Sequence, residues 1–234
     1  MPTTPLRLAL LCAALLGATL PLQAAETARD RAALERAVAL YERGAFPQAQ
    51  AAFEALARAG SPAAMHDLAV MHLHGEVPGA SAQAARQLLA DAAGHGFVTA
   101  QLALGELYES GRLGRPDLPA ALSWYGRAAA AGSVEGQVAV ATAYFMGRGT
   151  PADATQAAQW YRLAATRGDV GAQYILASLY EKGDGVPADL RLARYWYAAA
   201  ANQGDEAAPD KLKELDSRLA ADNARDAAAS APVR

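Results

Sequence analysis

The chain has 234 residues, with 21 Lys and Arg against 24 Asp and Glu, so its formal charge at neutral pH is −3. That balance does not point to a nucleic-acid partner, which would want a basic stripe, and none is expected. Past the N-terminus no apolar stretch reaches the roughly 20 residues of a membrane-spanning helix, and alanine, which suits close helix packing, supplies much of the 53% apolar content.

Residues 1–25 read as a secretory signal. Arg7 supplies the positive start, Leu8 to Leu20 the apolar core, and Gln23-Ala24-Ala25 the small residues for cleavage. Cys12, the single cysteine, follows Ala9-Leu10-Leu11, which lacks the small residue that precedes a lipid-modified cysteine, so no lipid anchor is expected. The exported chain would then have neither disulfide nor thiol chemistry. Its expected location is the periplasm or the exterior.

Residues 26–60 form an imperfect first unit of two helices. Ala33, Ala37 and Tyr41 lie on one face of the first, which ends at Gly44; Ala49, Ala52, Phe53, Leu56 and Ala57 lie on one face of the second. Four regular units follow, at 61–96, 97–132, 133–168 and 169–204, with Gly60, Gly96, Gly132, Gly168 and Gly204 recurring every 36 residues. The clearest copy is the last. Ala172, Leu176, Ala177 and Tyr180 share one helical face, Gly183, Gly185 and Pro187 make a turn, and Ala193, Trp196, Tyr197, Ala200 and Ala201 share the next face. Its Tyr180 matches Tyr144 and Tyr108, and its Trp196-Tyr197 pair matches Trp160-Tyr161 and Trp124-Tyr125, with His72 and Leu88-Leu89 in the earliest regular unit. One such helix pair cannot bury its apolar face alone, so the copies must stack.

The turns carry glycines, then proline, then an N-cap residue for the second helix: Ser81, Asp117, Asp153 and Asp189. Asp153 and Gln156 also fit a capping box. After Gly204, residues 205–222 read as a closing helix, with Leu212, Leu215 and Leu219 on one face and charged residues outside. Residues 223–234 are alanine-rich and polar, and disorder is expected there.

The pattern A-x3-L-[GA]-x2-Y-x2-G-x-G-x-P-x-D followed by A-x2-W-Y-x2-A-A-x2-G resembles the Sel-one-like repeat, a relative of the tetratricopeptide repeat, over Ser61–Gly204. The shorter turn of the first unit looks like a tetratricopeptide unit. The resemblance implies an all-α, right-handed superhelical solenoid of antiparallel helix pairs acting as a scaffold for other proteins. For secreted bacterial members it implies work in the envelope. It also implies that the free positions of the first helices line a concave groove. Here these are His66, Val70, Leu73 and His74; Leu102, Glu106 and Glu109; Val138, Thr142, Phe145 and Met146; and Tyr174, Ser178, Glu181 and Lys182.

Tyr108, Tyr144 and Tyr180, with Trp124, Tyr125, Trp160, Tyr161, Trp196 and Tyr197, are assigned to the repeat core rather than to ligand stacking. The groove set mixes exposed apolar groups with carboxylates, as a peptide-binding surface requires, and Phe145 and Met146 beside a turn carry that reading. His66 and His74 lie about 12 Å apart along a helix, too far for one ion, so no metal and no cofactor is expected. No nucleophile elbow or phosphate-binding loop is present, and Glu106 and Glu109 are neighbours on one helix face rather than an acid–base pair. The leading expectation is a monomeric, non-enzymatic exported scaffold that binds a protein or peptide. The rivals are a periplasmic regulator of a sensor kinase and a cell-wall hydrolase or penicillin-binding protein. The cysteine-paired repeats that the last would need are missing.

Overall fold

A computed structural model describes residues 29–229; the signal segment, residues 1–25, lies outside them. The described residues form helices and no strands. They fall in two units, divided between Phe97 and Val98: residues 29–97 and 98–229. Unit one holds α1 (residues 29–42), α2 (Phe46–Arg58), α3 (Pro62–His74) and α4 (Ala82–Gly94). Unit two holds α5 (Val98–Glu109), α6 (Leu118–Ala130), α7 (Val134–Met146), α8 (Ala154–Thr166), α9 (Val170–Lys182), α10 (Leu190–Asn202) and α11 (Ala208–Ala229). From α5 onward each helix packs on the next, as a helical solenoid does. Among the described residues no helix is long and apolar enough to cross a membrane.

The helix ends follow from side-chain chemistry. Ser81, Asp117, Asp153 and Asp189 each accept a backbone N–H from the first turn of the second helices, and Ser61, Ser133 and Asp169 do the same for first helices. The capping box expected at Asp153 and Gln156 forms by half. The Gln156 N–H donates to Asp153 Oδ1 at 2.9 Å, but the Asp153 N–H donates to the Tyr144 carbonyl, leaving the glutamine side chain no donor to accept. The same bond joins Asp117 to Tyr108 and Asp189 to Tyr180, so the turn is pinned to the end of the preceding first helix. Gly185 has φ +69°, and a Cβ there would overlap the carbonyl of Ala154 at the start of α8. Glycine is needed at this position for both conformation and space.

The core divides each Trp-Tyr pair. Tyr161 and Tyr197 are buried almost completely and Tyr125 nearly so, while Trp124, Trp160 and Trp196 are only half-buried at the edge of the packing. Helical spacing in the sequence places both members in the core. Successive helical residues point about 100° apart, so only one of two neighbours can face the seam between helices. Phe53, 1% exposed, holds the tyrosine register in unit one. Tyr180 is buried, and Tyr108 and Tyr144 pack partly buried against the clusters.

The closing segment corrects the sequence reading more plainly. Helix α11 runs to Ala229, through residues expected to be disordered. Alanine is the best helix former, and Arg225 pairs with Asp222 at 3.4 Å on the helix surface. The start of α11 also continues the repeat. Asp205 caps the Ala208 N–H as Asp169 caps Ala172, and Ala208 and Leu215 are fully buried against α10. In its capping and burial α11 repeats the pattern of the first helix α9.

Candidate protein-binding face

On unit one the expected groove residues are engaged locally. His66 sits against Asp67 at 3.0 Å and edge-on to Phe97, and His74 lies 3.4 Å from the Tyr41 hydroxyl beside Glu76. Val70 helps line a cavity of about 270 Å³ with Val38, Tyr41 and Phe53.

On unit two the first helices present matching positions one repeat apart. Glu109, Phe145 and Glu181 occupy one such position; Glu106, Thr142 and Ser178 another; Leu102, Val138 and Tyr174 a third. Where the first position is a glutamate, the protein uses it internally. Glu109 accepts the Tyr125 hydroxyl at 2.8 Å and pairs with Arg148 at 2.6 Å. Glu181 accepts the Tyr197 hydroxyl at 3.0 Å and pairs with Arg218 at 2.8 Å and Lys211 at 3.8 Å, both from α11. Neither is the free groove carboxylate that the sequence predicts. Their donors lie in other helices and the following turn, which helical spacing does not show.

Where that position is Phe145, the pattern changes. The Tyr161 hydroxyl turns to Thr142 at 3.0 Å, and the Phe145 ring stands edge-on to Tyr161, 6.5 Å between centres. Phe145 stays 44% exposed and Met146 63% exposed. Between α7 and α9 lies a cavity of about 200 Å³ lined by Phe145, Tyr174, Ile175, Ser178, Leu179, Lys182 and Asp184. Four candidates scattered in sequence, Phe145, Tyr174, Ser178 and Lys182, thus share one depression. Its walls are apolar, with an amine and a carboxylate among its lining groups, an arrangement suited to recognition of a side chain. Leu102 packs into the α5–α7 cluster instead.

Electrostatics mark two further features. Glu106 is exposed and has no ion-pair partner among the described residues; partial burial, Glu135 and Glu109, in that order, push its carboxyl above the usual range. Burial, then the hydrogen bonds to Glu109 and Glu181, push the Tyr125 and Tyr197 phenols far above their ordinary value of 10, and burial raises Tyr161 as well. Because the folded state holds these protons more tightly, the associated stability is complete below pH 10 and is lost as pH rises beyond it. Ionisation of the three phenols, followed by ultraviolet absorbance, should accompany the loss of helical dichroism. Ionisation near pH 10 with helicity intact would contradict their burial.

Sequence reasoning missed one set of residues. Gln101, Gln137 and Gln173 are all buried, one per repeat at intervals of 36. The Gln173 side-chain amide donates to the Ala165 carbonyl at 3.1 Å and accepts from Gln203 at 2.8 Å; Gln137 reaches the Ala129 carbonyl at 3.5 Å. Gln137 and Gln173 thereby satisfy carbonyls at the ends of the preceding second helices, while the side-chain oxygens of Gln101 and Gln137 meet no hydrogen-bond donor among the described residues. Their recurrence was visible, but glutamine is usually a surface residue.

The model for the Sel1 repeat matches residues 62–97, 98–133, 134–169 and 170–205. Among solved structures, a protective antigen of uropathogenic Escherichia coli displaying an SLR fold is 30% identical, with a TM-score of 0.73. That match covers 82% of this chain and 42% of the antigen. A Sel1 repeat protein from Oxalobacter formigenes is 32% identical, with a TM-score of 0.65, over 72% of this chain and 49% of that one. The chain therefore spans less than half the length of either protein. No curated protein matches it at a significant level.

Proposed function

The chain belongs to the Sel1 repeat family, and from that premise we propose that it is an exported, non-enzymatic scaffold of the bacterial envelope that holds a protein partner on the first-helix face of residues 98–229. Sel1 repeat proteins generally mediate protein–protein interaction. The observation that carries the proposal is the exposure of Phe145 and Met146, 44% and 63%, beside an apolar cavity. Leu163, Leu192 and Tyr195 are also exposed, on second helices, but Phe145 and Met146 are adjacent and stand beside a cavity, an arrangement suited to being covered by a partner. Export is supported by the signal-like composition of residues 1–25. The scaffold reading is also supported by Glu109 and Glu181, whose bonds to tyrosine hydroxyls give them structural work.

Phe145→Asp and Met146→Asp should each abolish capture of the partner while leaving helical content and melting temperature nearly unchanged, since both side chains are exposed. A photo-crosslinking residue at position 146, used in intact cells followed by envelope fractionation, reads this out. A discrete adduct in the envelope fraction, lost with Phe145→Asp, is the expected result. Absence of any protein adduct, or adducts confined to the cytoplasm, would count against the scaffold or its location respectively.

A further inference from the structure

The first-helix face of unit two offers three successive clefts, and two are strapped by ion pairs. Across the α5–α7 cleft Glu109 meets Arg148 at 2.6 Å, and across the α9–α11 cleft Glu181 meets Arg218 at 2.8 Å. In the middle cleft, between α7 and α9, the residues that correspond to Glu109 and Arg148 one repeat later are Phe145 and Asp184. These cannot form an ion pair. The cleft stays open as the 200 Å³ cavity, with Phe145 exposed at its edge. An exposed ion pair contributes only about 0–1 kcal/mol, so the straps matter mainly for what they present at the rim. Two clefts are bridged there by the protein's own charges, the α5–α7 one beside a cavity of about 180 Å³ lined by Glu109, Tyr125 and Arg148; the middle cleft has no such bridge and carries an exposed aromatic ring at its edge.

Charge indicates what the ligand is. Towards α5 the same face carries Glu106 with Glu135 nearby, and neither has an ion-pair partner among the described residues. Partial burial first, and then the neighbouring carboxylates, raise the Glu106 carboxyl above its usual range, and a cation beside it would favour its charged form. Towards α9 the cavity is bordered by Lys182, exposed and likewise unpaired among the described residues, with Asp184 on the turn below. A basic group is therefore favoured on the α5 side and opposed by Lys182 on the other.

We propose that the α7–α9 cleft receives a short linear peptide which seats one large apolar side chain against Phe145, Tyr174 and Leu179 and places a Lys or Arg opposite Glu106 and Glu135. Neighbouring helices pack about 8–10 Å apart, so the cleft centre and the α5 face are separated by about 12–15 Å. That corresponds to about four residues of extended chain between anchor and cation. The inference deepens the scaffold reading and rests on it.

The test is selection of random linear peptides displayed on phage against the full chain, with the Phe145→Asp variant as counter-target and circular dichroism to check its fold. The enriched sequences should share a large apolar residue with Lys or Arg about four positions away. A synthetic consensus peptide should bind the parent at least about tenfold more tightly than Phe145→Asp. Glu106→Gln should weaken binding several-fold and flatten its dependence on salt, because it removes the charge that attracts the cation. Peptides that bind the parent and Phe145→Asp equally would remove this cleft while leaving the scaffold reading intact. A consensus carrying an acidic residue in place of the basic one would overturn the peptide chemistry, and no enrichment over the counter-target would overturn the proposal outright. The scaffold reading itself stands or falls separately, on the in-cell adduct at position 146.

Discussion

Replacing Tyr197 by alanine should lower unfolding free energy by about 3–5 kcal/mol, the range for deleting a fully buried aromatic ring. The ring is 1% exposed, stands edge-on to Tyr174 at 5.1 Å between centres, and donates its hydroxyl to Glu181. Its loss opens a void at the seam of α9 and α10 and also weakens the seat of Glu181, which binds the closing helix through Arg218. The adjacent Trp196→Ala should cost clearly less, although tryptophan is larger, because Trp196 is only half-buried. Tyr197→Phe should cost about 0.5–1.5 kcal/mol, the net value of one hydrogen bond. Urea unfolding of the three variants gives the order. If Trp196→Ala proved the most damaging, the division of the Trp-Tyr pair into a buried and a peripheral member would be wrong.

Gly185→Ala is the second large effect. At φ +69° an L-residue loses about 1–2 kcal/mol, and forcing a methyl group into the Ala154 carbonyl adds about 1–3 kcal/mol. Together these give a loss of about 2–5 kcal/mol, at a turn residue that a scan of the sequence for apolar core positions would not single out. Gly168→Ala is the control. Gly168 has φ +93°, but a Cβ there would meet nothing within 4 Å, so only the conformational cost remains. Thermal melting of both variants separates the two contributions. Equal losses would mean that the turn yields and that the close approach of Gly185 to α8 has no energetic weight.

The candidate face was legible in its membership and not in its connections. Repeat register alone puts Phe145, Tyr174, Ser178 and Lys182 on first helices, and all four line one cavity. The same register puts Glu109 and Glu181 on that face as free carboxylates, and both are tied to tyrosines and cations. Spacing of three and four tells which residues share a face of one helix; it does not tell which side chain reaches over from the next. The buried glutamines show the converse. A recurring polar residue in the core is explained only when the carbonyl it serves is in view.

Taken alone, the sequence determined the unit length, the helix pairs, their caps and turns, and the family. Those features are local, set by helical period, by glycine conformation and by side chains bonding backbone groups a few residues away. Three features needed the tertiary structure: the tyrosine as the buried member of each Trp-Tyr pair, α11 as a helix in first-helix register, and the α7–α9 cleft as the one among three that no ion pair bridges. Each depends on which groups meet across neighbouring helices, where burial and ion pairing are decided by packing between residues distant in the chain.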